Sequence, residues 1–524
     1  MAVLDEASPT PRSSMLGGDV ARRGLLALAP RSRISRTVGM ATLALVVLLL
    51  LSSATLAAGL VCVVLLAVVG WLVWPPLGSD RSRLDRWVVR RRYRMRHARG
   101  LDCYTRPDQV RPGSRGAWQT PPPIGRVQAL DLSGTEWSRL FILHHAPTGA
   151  GQFLTVLLST SGLGAGLWTD AQHAATQEGF GAMLASLAKP GRWLSDLGQL
   201  SRTLPQDFTE HSALLAAQLD PPSEDAPQAV QAAYRQLLVS YDQAVAVEAS
   251  RCEEHRNYLI ARIDLTDEFQ LAAARAAPGP AGWAKLVRDE LLQLSARAAS
   301  AGLGRVEVLG EQRTVAALRA LQSPDYQPDR HGGLGWPDAF LTFRATTTEL
   351  VVGERDDPDG PVGGWHTRIA CVPAHGMEAA QLGPRWLAPV LVDMSPAVVR
   401  TVATRIRPTP ASAARGEAVK DATTDTSSTL TAAAEGKIDD GTARVMLDAS
   451  TRRLLDLAPG SGHAGAQWAM FIAVQATSKQ ILDDACRRLN EAAADASITE
   501  LDWLEHEQDL AWPAVLGLGR GVRW

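Results

Sequence analysis

Lysine is almost missing from this chain: Lys189, Lys285, Lys420, Lys437 and Lys479 are the only five among 53 basic residues, so positive charge here means arginine. With abundant alanine, that bias points to a GC-rich coding background, such as an actinobacterial genome, and carries no function by itself. Net charge is also missing, at -2, which says little alone; its distribution says more, a basic collar beside the apolar run being offset by acidic surface further on. Paired cysteines are absent too. Cys62, Cys103, Cys252, Cys371 and Cys486 are scattered, odd in number and form no CxxC, so neither a disulfide framework nor a zinc ribbon is indicated. The soluble part therefore reads as a reduced, cytoplasmic body.

Phosphate-binding signatures are lacking as well. A nucleotide cradle needs GxxxxGK followed by Ser or Thr, and the one Gly-Lys pair, Gly436-Lys437, is followed by Ile438. Gly162, Gly164 and Gly166 make GxGxG, one residue short of the dinucleotide fingerprint, so a turn is the simpler reading. Ser461 between Gly460 and Gly462 is not a GxSxG elbow. His366, Cys371 and His375 are the best metal candidates, but a closed zinc site wants four ligands at tighter spacing. Cys252 and His255 could touch without making a site. His144 and His145 alternate on a strand and must face opposite ways. Glu253-Glu254 and Asp356-Asp357 are sequence neighbours, which makes solvated surface their default. No catalytic set emerges, and no cofactor or metal is expected.

What is present is a run of 37 residues, Val38 to Trp74, without a charge. One helix of about 20 residues crosses about 30 Å of hydrocarbon. The run is too long for one span and suits two short ones joined at Ser52-Ser53-Ala54-Thr55. Arginine flanks both ends: Arg22, Arg23, Arg31, Arg33 and Arg36 before it, and Arg81, Arg83, Arg86, Arg90, Arg91, Arg92, Arg94, Arg96 and Arg99 after it. Arginine collects on the cytoplasmic side of a membrane, so a hairpin returning the chain satisfies both flanks. The expectation is a multi-pass protein of the cell membrane with both termini cytoplasmic. A secretory signal would need a shorter basic leader and no second apolar segment, and a buried soluble helix pair would not be so uniformly apolar. Trp71 and Trp74 fall where interfacial anchors belong. Arg33, Arg36, Trp71, Trp74, Arg81, Arg83, Arg90, Arg91 and Arg92 are accordingly the candidate membrane-interface set. Anionic headgroups, at about 1 kcal/mol per arginine, are favoured over nucleic acid as its partner.

Periodicity divides the rest. Residues 1–36 read as a mobile tail, 37–75 as the hairpin, and 76–125 as a basic helix (Leu84 to Ala98) with a Pro/Gly-rich linker. The interval 126–322 alternates strand and helix patterns, 323–364 reads as an irregular connector, and 365–521 repeats the alternation around an Ala/Thr-rich arm at 408–457. The expected class is α+β: a transmembrane helical hairpin followed by two ferredoxin-like modules side by side. Most of the fifteen tryptophans are expected in the core.

Short words along the chain carry a resemblance. They are Trp71-Leu72-Val73-Trp74-Pro75-Pro76 with the arginine collar, Ser133-Gly134-Thr135-Glu136, Ala146-Pro147-Thr148-Gly149, and Leu154-Thr155-Val156-Leu157-Leu158. Later come Val399-Arg400-Thr401-Val402 with Arg405 to Pro410, and the closing unit from Gln467 to Gly521 with its Leu516-Gly517-Leu518-Gly519-Arg520-Gly521 tail. Together these resemble a family of actinobacterial type IV (conjugation-type) secretion membrane proteins, in which a PrgI-like two-span hairpin is joined to a domain like the non-ATPase N-terminal part of the CagE/TrbE/VirB ATPases. The likeness spans most of 38–521 and is weakest over 323–364. It implies a non-enzymatic, membrane-anchored component that docks a separate secretion ATPase and other membrane subunits, within an oligomeric complex. An EccE-like subunit of a type VII apparatus is the alternative, and a membrane-anchored enzyme without a recognisable motif is a third reading.

Overall fold

The computed structural model describes residues 33–52, 56–73, 82–110, 118–146, 151–162, 168–223, 225–328, 333–353, 364–373, 376–378, 382–392, 394–436 and 441–520. Two helices, α1 (Arg33–Ser52) and α2 (Leu56–Val73), lie against each other, with Gly39 close to Val73 and Val46, Cys62 and Val73 buried between them. The next helix, α3 (Arg83–Ala98), is capped by Ser82, whose hydroxyl accepts from the Asp85 amide at 3.0 Å. It touches both α1 and α2.

The body is a mixed α/β assembly on one large antiparallel sheet. After β1 (Cys103–Tyr104) the elements are β2 (Val127–Ala129), β3 (Leu143–His145), β4 (Phe153–Thr160), α4 (Asp170–Leu187), β5 (Leu194–Pro205), α5 (Thr209–Gln218), α6 (Gln228–Arg251), β6 (Glu253–Asp264), α7 (Asp267–Ala276), α8 (Pro280–Ser300), β7 (Val306–Val308) and α9 (Glu311–Gln322). There follow β8 (Thr342–Ala345), β9 (Leu350–Gly353), β10 (Trp365–Cys371), α10 (Ala388–Leu391), β11 (Val399–Thr409), α11 (Ala411–Ala434), α12 (Thr442–Asp456), β12 (Gly465–Ala476), α13 (Lys479–Asp495), β13 (Asp502–Trp503) and α14 (Gln508–Val515).

The strand order is β1-β8-β9-β10-β12-β11-β5-β6-β4-β3-β2, with β7 on β4 and β13 on β10. That order contains the same arrangement twice. In the first unit, β4 pairs with β6 along one edge, and its other edge is shared by β3 and β7. In the second, β10 pairs with β12 along one edge and shares the other between β9 and β13. Each unit then forms a long hairpin, β5–β6 or β11–β12, whose connection is a pair of helices. The strands β6 and β12 are each 12 residues long. The units meet antiparallel at β5 and β11, in register from Arg400↔Thr203 to Ile406↔Leu197. Because the central pair is antiparallel, the two helical arms leave the sheet at its opposite ends.

Both faces of the sheet are covered, so its strands read as apolar runs as much as alternations. One face carries a core common to the two units: Leu157, Leu200, Ile260, Ile369, Ala403 and Ala473 pack with Val315, Leu318 and Leu321 of α9 and with Trp512 and Val515 of α14. On the other face the cores are separate. Leu154, Val156 and Leu259 meet α4, α7 and α8. Val402, Ile472 and Val474 meet Leu482, Ala485 and Leu489, which recur at helical spacing on α13. Helices α7 and α8 cross at Gly282, where a Cβ would fall 2.2 Å from the Ala273 carbonyl oxygen, so only glycine permits that approach.

Two expectations need correction. The interval 323–364 is not an irregular connector: β8 and β9 occupy it and extend the sheet beyond β10. Its polar, glycine-rich composition hides two four-residue strands whose burial comes from tertiary neighbours. Nor is the 76–125 segment only helix and linker, since among its described residues Tyr104 and Ile124 enter the common core. Among the described residues no helix is long and apolar enough to cross a membrane. Side chains of the first two helices are described only over 37–48 and 60–73, and the two-span hairpin finds no support within those limits.

Candidate membrane-facing collar and its anchor on the body

The candidate interface residues are distributed as follows. Arg33 and Arg36 open α1, and their side chains lie outside the described residues, as do Trp74 and Arg81 altogether. Trp71, near the end of α2, is 60% exposed. The Arg83 guanidinium lies 4.4 Å from its ring centroid and also donates to the Trp71 carbonyl at 3.0 Å. Arg90, Arg91 and Arg92 are exposed along α3, and Arg91 lies 5.2 Å from the ring of Trp87, itself exposed. The structure thus brings Trp71 to Arg83 and leaves the middle arginines on an open face with Trp87 and Met95. Arginines beside exposed apolar rings make a surface suited to an anionic, partly apolar boundary.

The opposite face of α3 is bound to the body. Arg96 donates to Asp509 through two nitrogens, Nε to Oδ2 at 2.8 Å and Nη2 to Oδ1 at 3.0 Å. The same Nη2 reaches the His506 carbonyl at 2.7 Å. His506 sits in the left-handed region at φ 64, unusual for a residue with a Cβ, at the turn entering α14. Tyr93 stands edge-on to His506 at 5.5 Å, and His97 Nδ1 meets Asp102 at 2.7 Å. Burial pushes the Asp509 carboxyl up from its ordinary range, and Arg96 opposes that rise. Burial and the neighbouring Asp102 and Asp509 carboxylates raise Tyr93. The helix is therefore held by a charge-assisted fork with little exposure, so its direction relative to the sheet is set. Arg96 is visible in the sequence only as one more arginine of the collar. Its partner lies 413 positions away, and no local pattern marks Asp509.

The residues weighed for chemistry are dispersed. His366 Nδ1 meets Glu349 at 3.1 Å, while His375 lies outside the described residues. Among the described residues no group of three or more His, Cys, Asp and Glu could hold a metal ion. His255 contacts the Thr203 hydroxyl at 3.2 Å, and Cys252 is exposed beside it in sequence. His144 and His145 face opposite ways: one contacts Gln152 and Trp283, the other is buried against Thr155 and stacked on Phe153. Burial holds the His145 imidazole well below its usual range, so it accepts from Arg520 at 2.9 Å as a neutral ring.

Ionic contacts concentrate instead at the seam between the units. Asp196 of β5, fully buried, receives Arg405 at 2.7 Å and Arg407 at 2.8 Å from β11. Arg400, also buried, forks onto Glu253 at 2.7 and 3.0 Å. Arg202 donates to the Thr401 hydroxyl at 2.8 Å. Burial lowers Arg405 to about 10 and Arg202 to about 9. These contacts join the two halves into one platform. Compared with known proteins, the chain matches no family model and no curated protein sequence.

Proposed function

We propose that the protein is a non-catalytic, membrane-anchored structural component of a type IV-like secretion or conjugation apparatus, docking a separate secretion ATPase at the inner face of the membrane. The observation that carries this reading is the exposed apolar pair α1/α2. Met40, Leu43, Leu45, Val47, Leu48, Leu60, Val61, Val63 and Val64 all lie open on it, within a stretch that carries no charge. Contiguous exposed apolar surface of this kind marks a protein–protein or membrane interaction site, and the arginine flanks favour the membrane. The arginine face of α3 then meets anionic headgroups, and the Arg96–Asp509 fork carries that orientation into the body.

The strand orders β7-β4-β6-β5 and β13-β10-β12-β11, each built as βαββαβ, support reading the units as two ferredoxin-like modules. Two modules fused through a buried seam make a broad platform rather than a cleft. The ATPase is the partner that the family resemblance implies. The test is purification of the full chain from membranes in mild detergent, with bound proteins identified by mass spectrometry. Co-purification of a P-loop ATPase with conjugation-type subunits is the expected result. Core subunits of a type VII apparatus would replace this assignment with the EccE-like one, and recovery in the soluble fraction after lysis without detergent would overturn the anchor.

A further inference from the structure

On the face of the sheet where the cores are separate, the second unit leaves a space that the first fills. Setting Val287 of α8 on Leu482 of α13 also sets Leu291 on Cys486, Leu294 on Leu489, Ala298 on Ala493 and Ala301 on Ala496. Every one of these is buried, so the two helices correspond turn for turn. Helix α4 lies on the C-terminal half of α8. Its Met183 and Leu187 are buried in the core they share, and at Gly179 a Cβ would fall 3.1 Å from the Ala301 Cα. Arg297 of α8 donates to the Ser186 hydroxyl of α4 at 2.6 Å. The same correspondence carries Arg297 to Ala492, Ala296 to Glu491 and Ser300 to Asp495. Helix α10 takes the place of α4 in the second unit, and it is four residues long. A groove of about 530 Å³ remains, walled by Val392 and Met394 on one side and by Arg488, Glu491, Ala492 and Asp495 on the other.

The walls set both the shape and the charge of an occupant. In the first unit a helix fills this place and comes closest at small residues; Ala492 and Ala496 permit the same approach. The charge is this unit's own. Glu491 and Asp495 are exposed, one turn apart, near the C-terminal end of α13. No basic residue lies in that last turn, and the helix dipole adds partial negative charge there. Arg488 does not offset them, because its Nη1 donates to the Pro396 carbonyl at 2.5 Å and its Nε faces Asp484 at 3.5 Å. We propose that the groove between α10 and α13 docks an amphipathic helix of a partner protein, lying as α4 lies in the first unit and basic where it meets Glu491 and Asp495. The inference uses only the second unit and stands whether or not the membrane reading holds.

The first unit supplies the probe. A labelled synthetic peptide of the α4 sequence, Asp170–Leu187, carries Glu178→Lys and Ser186→Lys, which fall beside Asp495 and Glu491 when α4 is set on α13. Its binding to the purified full chain in detergent is read by fluorescence anisotropy. Binding should saturate, and it should weaken at least tenfold on a Glu491→Arg, Asp495→Arg chain, which also controls for uptake by micelles. The peptide with the unaltered α4 sequence should bind at least tenfold more weakly than the basic one. Both chain substitutions are at exposed positions, so the denaturation midpoint should stay unchanged, which separates lost docking from lost folding. Absence of saturable binding, indifference to the charge reversal, or equal binding of the unaltered peptide would each overturn the proposal. So would a dimer of the native chain in sedimentation that the charge reversal dissociates, since the groove would then belong to a second copy.

Discussion

The two units share their strands and differ in their helices. Where the first carries α4, 18 residues on the split face of the sheet, the second has only α10, four residues. A groove of about 530 Å³ opens beside α10, between Pro389, Met394 and the Arg488, Glu491 and Asp495 side of α13. The arms differ too. In the second, α11 packs on α12 around Ala414, Ala418 and Leu457, whereas none of the described side chains of α6 in the first is buried. A duplicated sheet is held by its ladder and by the ion pairs of the central seam, so both copies must keep the strands. Helices on the outer face answer only to their own unit, and they are free to shorten or to turn outward.

If the seam is what keeps the halves alike, its removal should have the largest effect. Asp196→Ala leaves Arg405 buried without its carboxylate, and breaking such a pair costs about 3–5 kcal/mol. Denaturant titration should show that loss, while Asp484→Ala, at an exposed pair with Arg487, should change stability by less than about 0.5 kcal/mol. Equal effects from the two variants would deny the seam its role.

The difference between the arms can be read with one leucine in each. Leu457, 3% exposed, should cost about 2 kcal/mol on change to alanine, seen as faster amide exchange across α11 and α12. Leu237, 54% exposed in the first arm, should cost less than about 0.5 kcal/mol on the same change. The Arg96–Asp509 fork is the ionic tie between the collar and the body, so Asp509→Asn should loosen it by about 2 kcal/mol. Exchange should then rise over residues 83–98 and stay unchanged in the central strands.

The smallest effect is that of pH. Burial raises both Asp509 at the collar and Glu290 on α8. For each, the folded pKa lies above the unfolded one, so its contribution to stability is fully present below the unfolded pKa and is lost as pH rises through the folded value. Stability of the Asp509→Asn chain should therefore depend less steeply on pH across that acidic window than that of the native chain. An identical slope would place the titration elsewhere.

Much of the strand content was legible. The alternation read at 152–158, 256–264 and 398–406 corresponds to β4, β6 and β11, and the apolar stripe at Ile481, Leu482, Ala485 and Leu489 marks α13. The elements that were not read share a cause. Strands β8 and β9 are four residues each, α7 is ten and α14 is eight. Over such lengths a period hardly declares itself against local composition. Helix α14 also contains Pro513, ordinarily a stop signal, yet it buries Trp512 and Val515 in the common core. The site divides in the same way: the exposed arginines of α3 were legible, but the fork that aims them was not.

By itself, the sequence determined the uncharged run and its arginine flanks, the absence of a phosphate cradle, and the order of the longer strands and helices. Each of these depends on neighbours a few residues apart, where chain connectivity enforces the pattern. Only the tertiary structure decided that the halves join through β5 and β11, that Asp196 meets an arginine 209 positions away, and that Arg96 closes on Asp509. A buried charge takes its partner from whichever strand or helix packs beside it, and that choice is made by the sheet order rather than by any local run of residues.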